Sequence, residues 1–84
     1  MQYETLYIDT TEKLLAFNTC VAGNTMSFRV TAQHQELFNR LEQSNRKHSF
    51  TLNSSRAKTF NGFINEIIKE GEFLSVEVLR GQLN

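Results

Sequence analysis

The most reactive side chains in this 84-residue chain are two histidines, His34 and His48, and a single cysteine, Cys20. A cysteine beside a histidine can form a thiolate nucleophile, and both can ligate zinc, but a sequence signals such sites through short recurrent spacings. Cys20 lies far from both histidines, and with no second cysteine there is neither a disulfide nor a multi-cysteine zinc pattern. The expected places are a helix start for His34, a strand start for His48, and a small apolar packing position for Cys20. Acidic pairs occur at Asp9 with Glu12 and at Glu70 with Glu72. Both fall in expected turns, where no apolar wall raises a carboxyl pKa for proton transfer. Gly23, Gly62, Gly71 and Gly81 are isolated and make no phosphate-cradling loop. The sequence therefore predicts no catalytic residue, no metal and no cofactor, and reads as a binding protein rather than an enzyme.

One constellation does point to binding. Arg40, Arg46, Lys47, Arg56 and Lys58 stand against Glu42 alone between positions 40 and 58, and they flank Phe50. Aromatic rings stack on bases and cations hold phosphates, so this segment could carry a single-stranded nucleic acid if the cations converge on one face near exposed Tyr3, Tyr7 or Phe60. The alternative assignment puts Phe50 in the core and pairs Arg56 and Lys58 with Glu66, Glu70 and Glu72. The whole chain balances nine Lys and Arg with nine Asp and Glu, and so has no long-range pull toward a polyanion.

These residues must be positioned by a chain that alternates for most of its length. Leu6 and Ile8 share a face in a first strand, and Asp9-Thr10-Thr11-Glu12 supplies turn chemistry. Leu14 to Val21 continues extended, with Leu15, Phe17 and Val21 read in phase, and Ala22-Gly23-Asn24 turns the chain. Met26, Phe28 and Val30 alternate with Ser27, Arg29 and Thr31 in a third strand. Thr31 is placed to cap a helix over about 32–46, where Leu37, Phe38 and Leu41 recur at helical spacing and Arg46 and Lys47 face the negative end of its dipole. Ser49 to Leu52 forms a short fourth strand.

Residues 56–71 admit two readings. Phe60, Phe63, Ile64, Ile67 and Ile68 fit a second amphipathic helix at about 56–70. Thr59, Asn61, Gly62 and Asn65 are poor helix formers and favour a strand with a bulge near Asn65-Glu66, a turn at Lys69 to Glu72, and a return along Phe73 to Arg80. The preferred fold is α+β and β-rich: a small antiparallel barrel of order β-β-β-α-β-β-β. This order resembles the oligonucleotide/oligosaccharide-binding (OB) barrel, in which a helix follows the third strand. The resemblance rests on element order and carries no motif.

At this length one thin core is all the chain can build, from seven Phe and two Tyr among others, and no linker or low-complexity run divides it, so residues 1–84 read as a single domain. No long apolar run or basic-apolar leader suggests a membrane or secretion, which makes the cytoplasm the expected compartment. The expected function is a small protein-interaction module of the size used by accessory, regulatory or inhibitor proteins, including those of phages and mobile elements. A terminal strand, Tyr3 to Ile8 or Phe73 to Arg80, would offer an open edge to a protein partner or to a second copy in a homodimer or larger oligomer. The alternative partner is a single-stranded nucleic acid.

Overall fold

Strict alternation of apolar and polar residues produces strands that are buried on one face only, and such strands must either stack or close on themselves. Here they close. The computed structural model describes residues 2–53 and 59–81. Its elements are β1 (Tyr3–Ile8), β2 (Glu12–Ala22), β3 (Thr25–Thr31), a 3₁₀ turn (Ala32–His34), α1 (Gln35–Gln43), β4 (His48–Leu52), β5 (Thr59–Glu70) and β6 (Phe73–Arg80). The six strands form a closed barrel in the order β1-β2-β3-β6-β5-β4, and every pairing is antiparallel. The expected order of three strands, a helix and three strands is thus the observed one. The OB barrel is five-stranded and partly open. The barrel here has six strands and is closed, with β1 paired to β4.

That closure leaves no open edge on β6 or on the second half of β1, while among the described residues Tyr3 to Thr5 form strand pairs with β2 only. Leu6 to Ile8 pair with Leu52 to Phe50 on one side and with Leu14 to Glu12 on the other, while β6 lies between β3 and β5. Inside, Phe28 and Phe50 meet at 6.1 Å between ring centroids, surrounded by Leu6, Ile8, Val30 and Leu74, all fully buried. Helix α1 closes one end of this core, with Phe38 set 5.8 Å from Phe28 and Leu41 beside it.

Segment 59–70 is a strand, not a helix. The twelve-residue strand pairs with β4 and then β6, interrupted by a register shift between Ile64 and Glu66 at the expected bulge. The poor helix formers decide it, and Gly62 shows why. A Cβ on Gly62 would stand 2.5 Å from the carbonyl oxygen of Leu79 and 2.9 Å from Val78 Cγ1, so only glycine lets β5 pass this close to β6.

Three local expectations are corrected. The helix is shorter than 32–46: it ends at Gln43, and Asn45 turns left-handed at φ 53°, which leaves Arg46 and Lys47 beyond its last turn. Thr31 does not cap it with a side-chain bond, and its buried hydroxyl has no partner among the described residues. In β2 the inward residues are Leu14 and Ala16, while Leu15 faces outward. A bulge at Asn18-Thr19, with Asn18 at φ 54°, shifts the phase so that no single alternation runs from Leu15 to Val21.

Candidate functional site

The basic segment is only partly gathered by the fold. Arg40, Arg46 and Lys47 are exposed around the end of α1, while Arg56 and Lys58 lie outside the described residues. Phe50 points into the barrel and is fully buried, and Phe60 is also buried, with the Arg80 guanidinium 4.4 Å above its ring. Neither ring is free to stack on a base. Arg46 is already engaged, 3.6 Å from Asp9 Oδ2. The binding role read for Phe50 is therefore replaced by a core role, because its alternation with His48 and Leu52 turns it inward.

A more ordered polar group lies beneath that loop. His48 is 2% exposed; its Nδ1 is 2.6 Å from Asp9 Oδ2, and its Nε2 is 2.8 Å from Ser44 Oγ and 3.2 Å from the Leu41 carbonyl. Asp9 is held in turn by the Ser49 N–H, which donates to Oδ1 at 3.0 Å, and the Asp9 N–H donates to the Ser49 carbonyl at 3.0 Å. Partial burial works against the ionised carboxyl of Asp9. The His48 and Ser49 hydrogen bonds and the charges of His48 and Arg46 outweigh it and hold its pKa below the ordinary aspartate value.

The connectivity Ser44–His48–Asp9 is that of a hydrolytic triad, but its surroundings do not favour acyl transfer. Ser44 Oγ lies 2.7 Å from the Leu41 carbonyl as well as 2.8 Å from His48 Nε2, so the carbonyl competes with the ring for the single hydroxyl proton. The N–H groups of Ser44 and Asn45 are bonded to the carbonyls of Arg40 and Glu42 and cannot serve an oxyanion. A helix C-terminus also repels the negative charge that acyl transfer develops. What the group does is tie three elements together: the end of α1, the β1–β2 turn and the start of β4.

The outer wall of the barrel presents a different arrangement. Tyr3, Phe17, Arg29, Ser75 and Ile68 stand in one cross-strand row over β1, β2, β3, β6 and β5. Phe17 faces away from the core yet is 1% exposed, because Tyr3 and Phe73 each meet its ring edge-on at 5.3 Å and Arg29 covers it at 5.7 Å. Arg29 also lies 5.2 Å over Phe73, and its guanidinium donates to Glu70 at 3.3 Å. Around this cluster Tyr3 is 51%, Leu15 57% and Ile68 45% exposed. Such an apolar surface is not required by a core that is already filled on the other face of the same strands.

Cys20 is exposed on this wall beyond the β2 bulge, which corrects the packing role expected for it. His34 lies in the 3₁₀ turn, and partial burial lowers its pKa. Among the described residues no group of three or more His, Cys, Asp or Glu could hold a metal ion, and no helix is long and apolar enough to cross a membrane. No family model matches the chain, and neither a curated protein nor a solved structure is similar to it.

The sequence reading missed the wall because it considered exposed aromatics only beside the basic segment and placed Phe17 and Phe73 in strands without asking which face they share. The available signal was the surplus of apolar residues at outward positions: Tyr3 and Tyr7 out of phase with Leu6 and Ile8, and Phe73 out of phase with Leu74, Val76 and Val78.

Proposed function

We propose that this chain is a small, non-enzymatic protein-interaction module whose working surface is the outer wall of the barrel. The observation that carries this reading is the exposure of Tyr3, Leu15 and Ile68 around the packed Tyr3–Phe17–Arg29–Phe73 cluster. Rigid aromatic and arginine side chains bordered by exposed aliphatics are the composition of an interface centre, and they lose little side-chain entropy on contact because they are already fixed. Buried side chains such as Phe28, Phe38 and Phe50 fill the barrel interior, and β6 is paired along both sides, which favours contact through side chains of the wall. An occupied wall would also add apolar burial to a thin core, by mass action with a partner or a second copy.

The single-stranded nucleic-acid reading has weaker support. It needs rings open to stacking beside free cations, whereas Phe50 and Phe60 are buried, Arg46 contacts Asp9 and Arg29 contacts Glu70. A reducing cytoplasmic setting belongs to the same proposal and suits an exposed thiol such as Cys20.

The test compares wild type with the double variant Tyr3→Ser, Ile68→Ser. Its fold is checked by circular dichroism and thermal melting. Sedimentation velocity over a concentration series reports self-association, and affinity capture from the source's own lysate, with both proteins as baits, reports other partners. The expected result is association by the wild type that weakens at least about tenfold in the variant, the loss typical of anchor residues. Identical behaviour of the two proteins, or an oligonucleotide bound by the wild type in a salt-dependent manner, overturns the proposal.

A further inference from the structure

Next to the aromatic row lies a second outward row, Cys20, Ser27, Glu77 and Glu66 on β2, β3, β6 and β5. Glu66 and Glu77 are direct cross-strand partners on the solvent face. Like charges placed opposite each other in an antiparallel pair are destabilising. Among the described residues neither forms an ion pair, because Arg29, which lines the same surface, is paired elsewhere. Arg29 leans the other way, lying over Phe73 and pairing with Glu70. Ser75 Oγ donates to Glu70 as well, at 3.1 Å, which fixes that pair on the far side of the first row. Glu77 is itself oriented, since Asn65 at the β5 bulge donates to its Oε1 at 2.7 Å. Between the two rows is a shallow hollow of about 300 Å³ whose lining includes Asn18, Ser27, Arg29, Ile68, Ser75 and the two glutamates, the two carboxylates outnumbering the one cation.

A hollow with an aliphatic side and two unneutralised carboxylates at its rim complements a side chain with an apolar stem and a cationic head. We infer that this hollow seats an arginine or lysine side chain of the protein partner whose apolar surface covers Ile68 and Tyr3. The inference rests on the wall being the interaction surface and adds the charge of what it receives. The cross-strand repulsion is then a feature of the unbound protein that the partner's cation removes, a local violation of sheet pairing rules at a working site.

N-acetyl-arginine amide is the probe, with N-acetyl-citrulline amide as its uncharged counterpart, each titrated into the full isotope-labelled chain and followed by backbone amide shifts. The arginine probe is expected to move Glu66, Ile68, Ser75 and Glu77 beyond any effect of citrulline. Glu77→Gln should weaken this roughly three- to fivefold, as for a solvent-accessible ion pair. The free variants Glu66→Gln and Glu77→Gln should melt at or above the wild-type temperature, because each removes the like-charge opposition. Equal shifts from both probes, no shifts up to the solubility limit, or strongest shifts at other carboxylates overturn the inference, as does a lowered melting temperature in both variants. Partner contact that still depends on Tyr3 and Ile68 under those outcomes would leave the wall as the interface and remove only its cation.

Discussion

The carboxylate of Asp9 and the imidazole of His48 are 39 residues apart in sequence and 2.6 Å apart in space, and their contact joins the first hairpin to the strand after the helix. His48 is almost fully buried, so each ring nitrogen needs a partner, and Asp9, Ser44 and Leu41 provide them. Replacing His48 by Ala would open a cavity in a packed region and take from Asp9 Oδ2 its 2.6 Å partner, while the Leu41 carbonyl keeps Ser44 Oγ. The expected cost is about 3 kcal/mol in urea unfolding, from the lost packing and the lost partner of Asp9 together.

The pH dependence of the same contact follows from Asp9. Its folded-state pKa lies below the ordinary aspartate value near 3.8. The unfolded chain therefore binds the proton first as pH falls. The stability Asp9 contributes is present in full above the unfolded pKa and is lost as pH drops through the lower folded one. Asp9→Asn should reduce stability at neutral pH by about 1.5–3 kcal/mol, the range for hydrogen bonds to a charged group. Between pH 5 and the acid limit it should lose less stability than the wild type does. Parallel losses in the two proteins across that window would show that Asp9 is not the linked group.

Much of the barrel was legible in the sequence, and the reasons are local. Met26, Phe28 and Val30 alternate without interruption, Gly23 and Gly71 adopt the left-handed φ their turns require, and the bulge after Ile64 coincides with Asn65. What was illegible depends on distant residues. Nothing near Phe17 announces that Tyr3, Arg29 and Phe73 will bury it from outside, and nothing near His48 names Asp9. Periodicity reports which face a residue shares, not which face is the core, so the phase of β2 was lost where Asn18 inserts an extra residue.

Gly62 makes a sharper test of the β5 assignment. Gly62→Ala places a methyl group 2.5 Å from the Leu79 carbonyl oxygen, a backbone atom of the paired strand that cannot rotate away. Overpacking of this kind costs about 1–3 kcal/mol or more. The substitution would instead stabilise a helix by roughly 1 kcal/mol, so the sign alone separates the two readings of this segment.

Thr10 offers a stabilising change. It follows Asp9 in the β1–β2 turn, and both residues are left-handed, with Thr10 at φ 59°. A β-branched side chain is poorly suited to that conformation, whereas asparagine accepts it. Thr10 is exposed and its side chain makes no hydrogen bond among the described residues, so Thr10→Asn removes strain without removing a contact. The expected gain is about 0.5–1 kcal/mol, read as a higher midpoint in urea with an unchanged slope.

Phe17 distinguishes a packed outer cluster from a loose surface patch. An ordinary outward-facing residue on a barrel strand can be truncated with little effect, within about 0.5 kcal/mol. Phe17 is 1% exposed between Tyr3, Arg29 and Phe73, so Phe17→Ala should behave as a core truncation and cost about 3 kcal/mol. Arg29→Lys keeps the charge near Glu70 but loses the planar guanidinium that lies over both rings, and should cost about 0.5–1 kcal/mol. If the double variant loses less than the sum of the two single losses, the residues act as one unit. Additive losses, or a Phe17→Ala effect no larger than that of an ordinary surface residue, would mean that the ridge is not rigid. The exposed rim of Tyr3, Leu15 and Ile68 would then have no fixed platform to present to a partner.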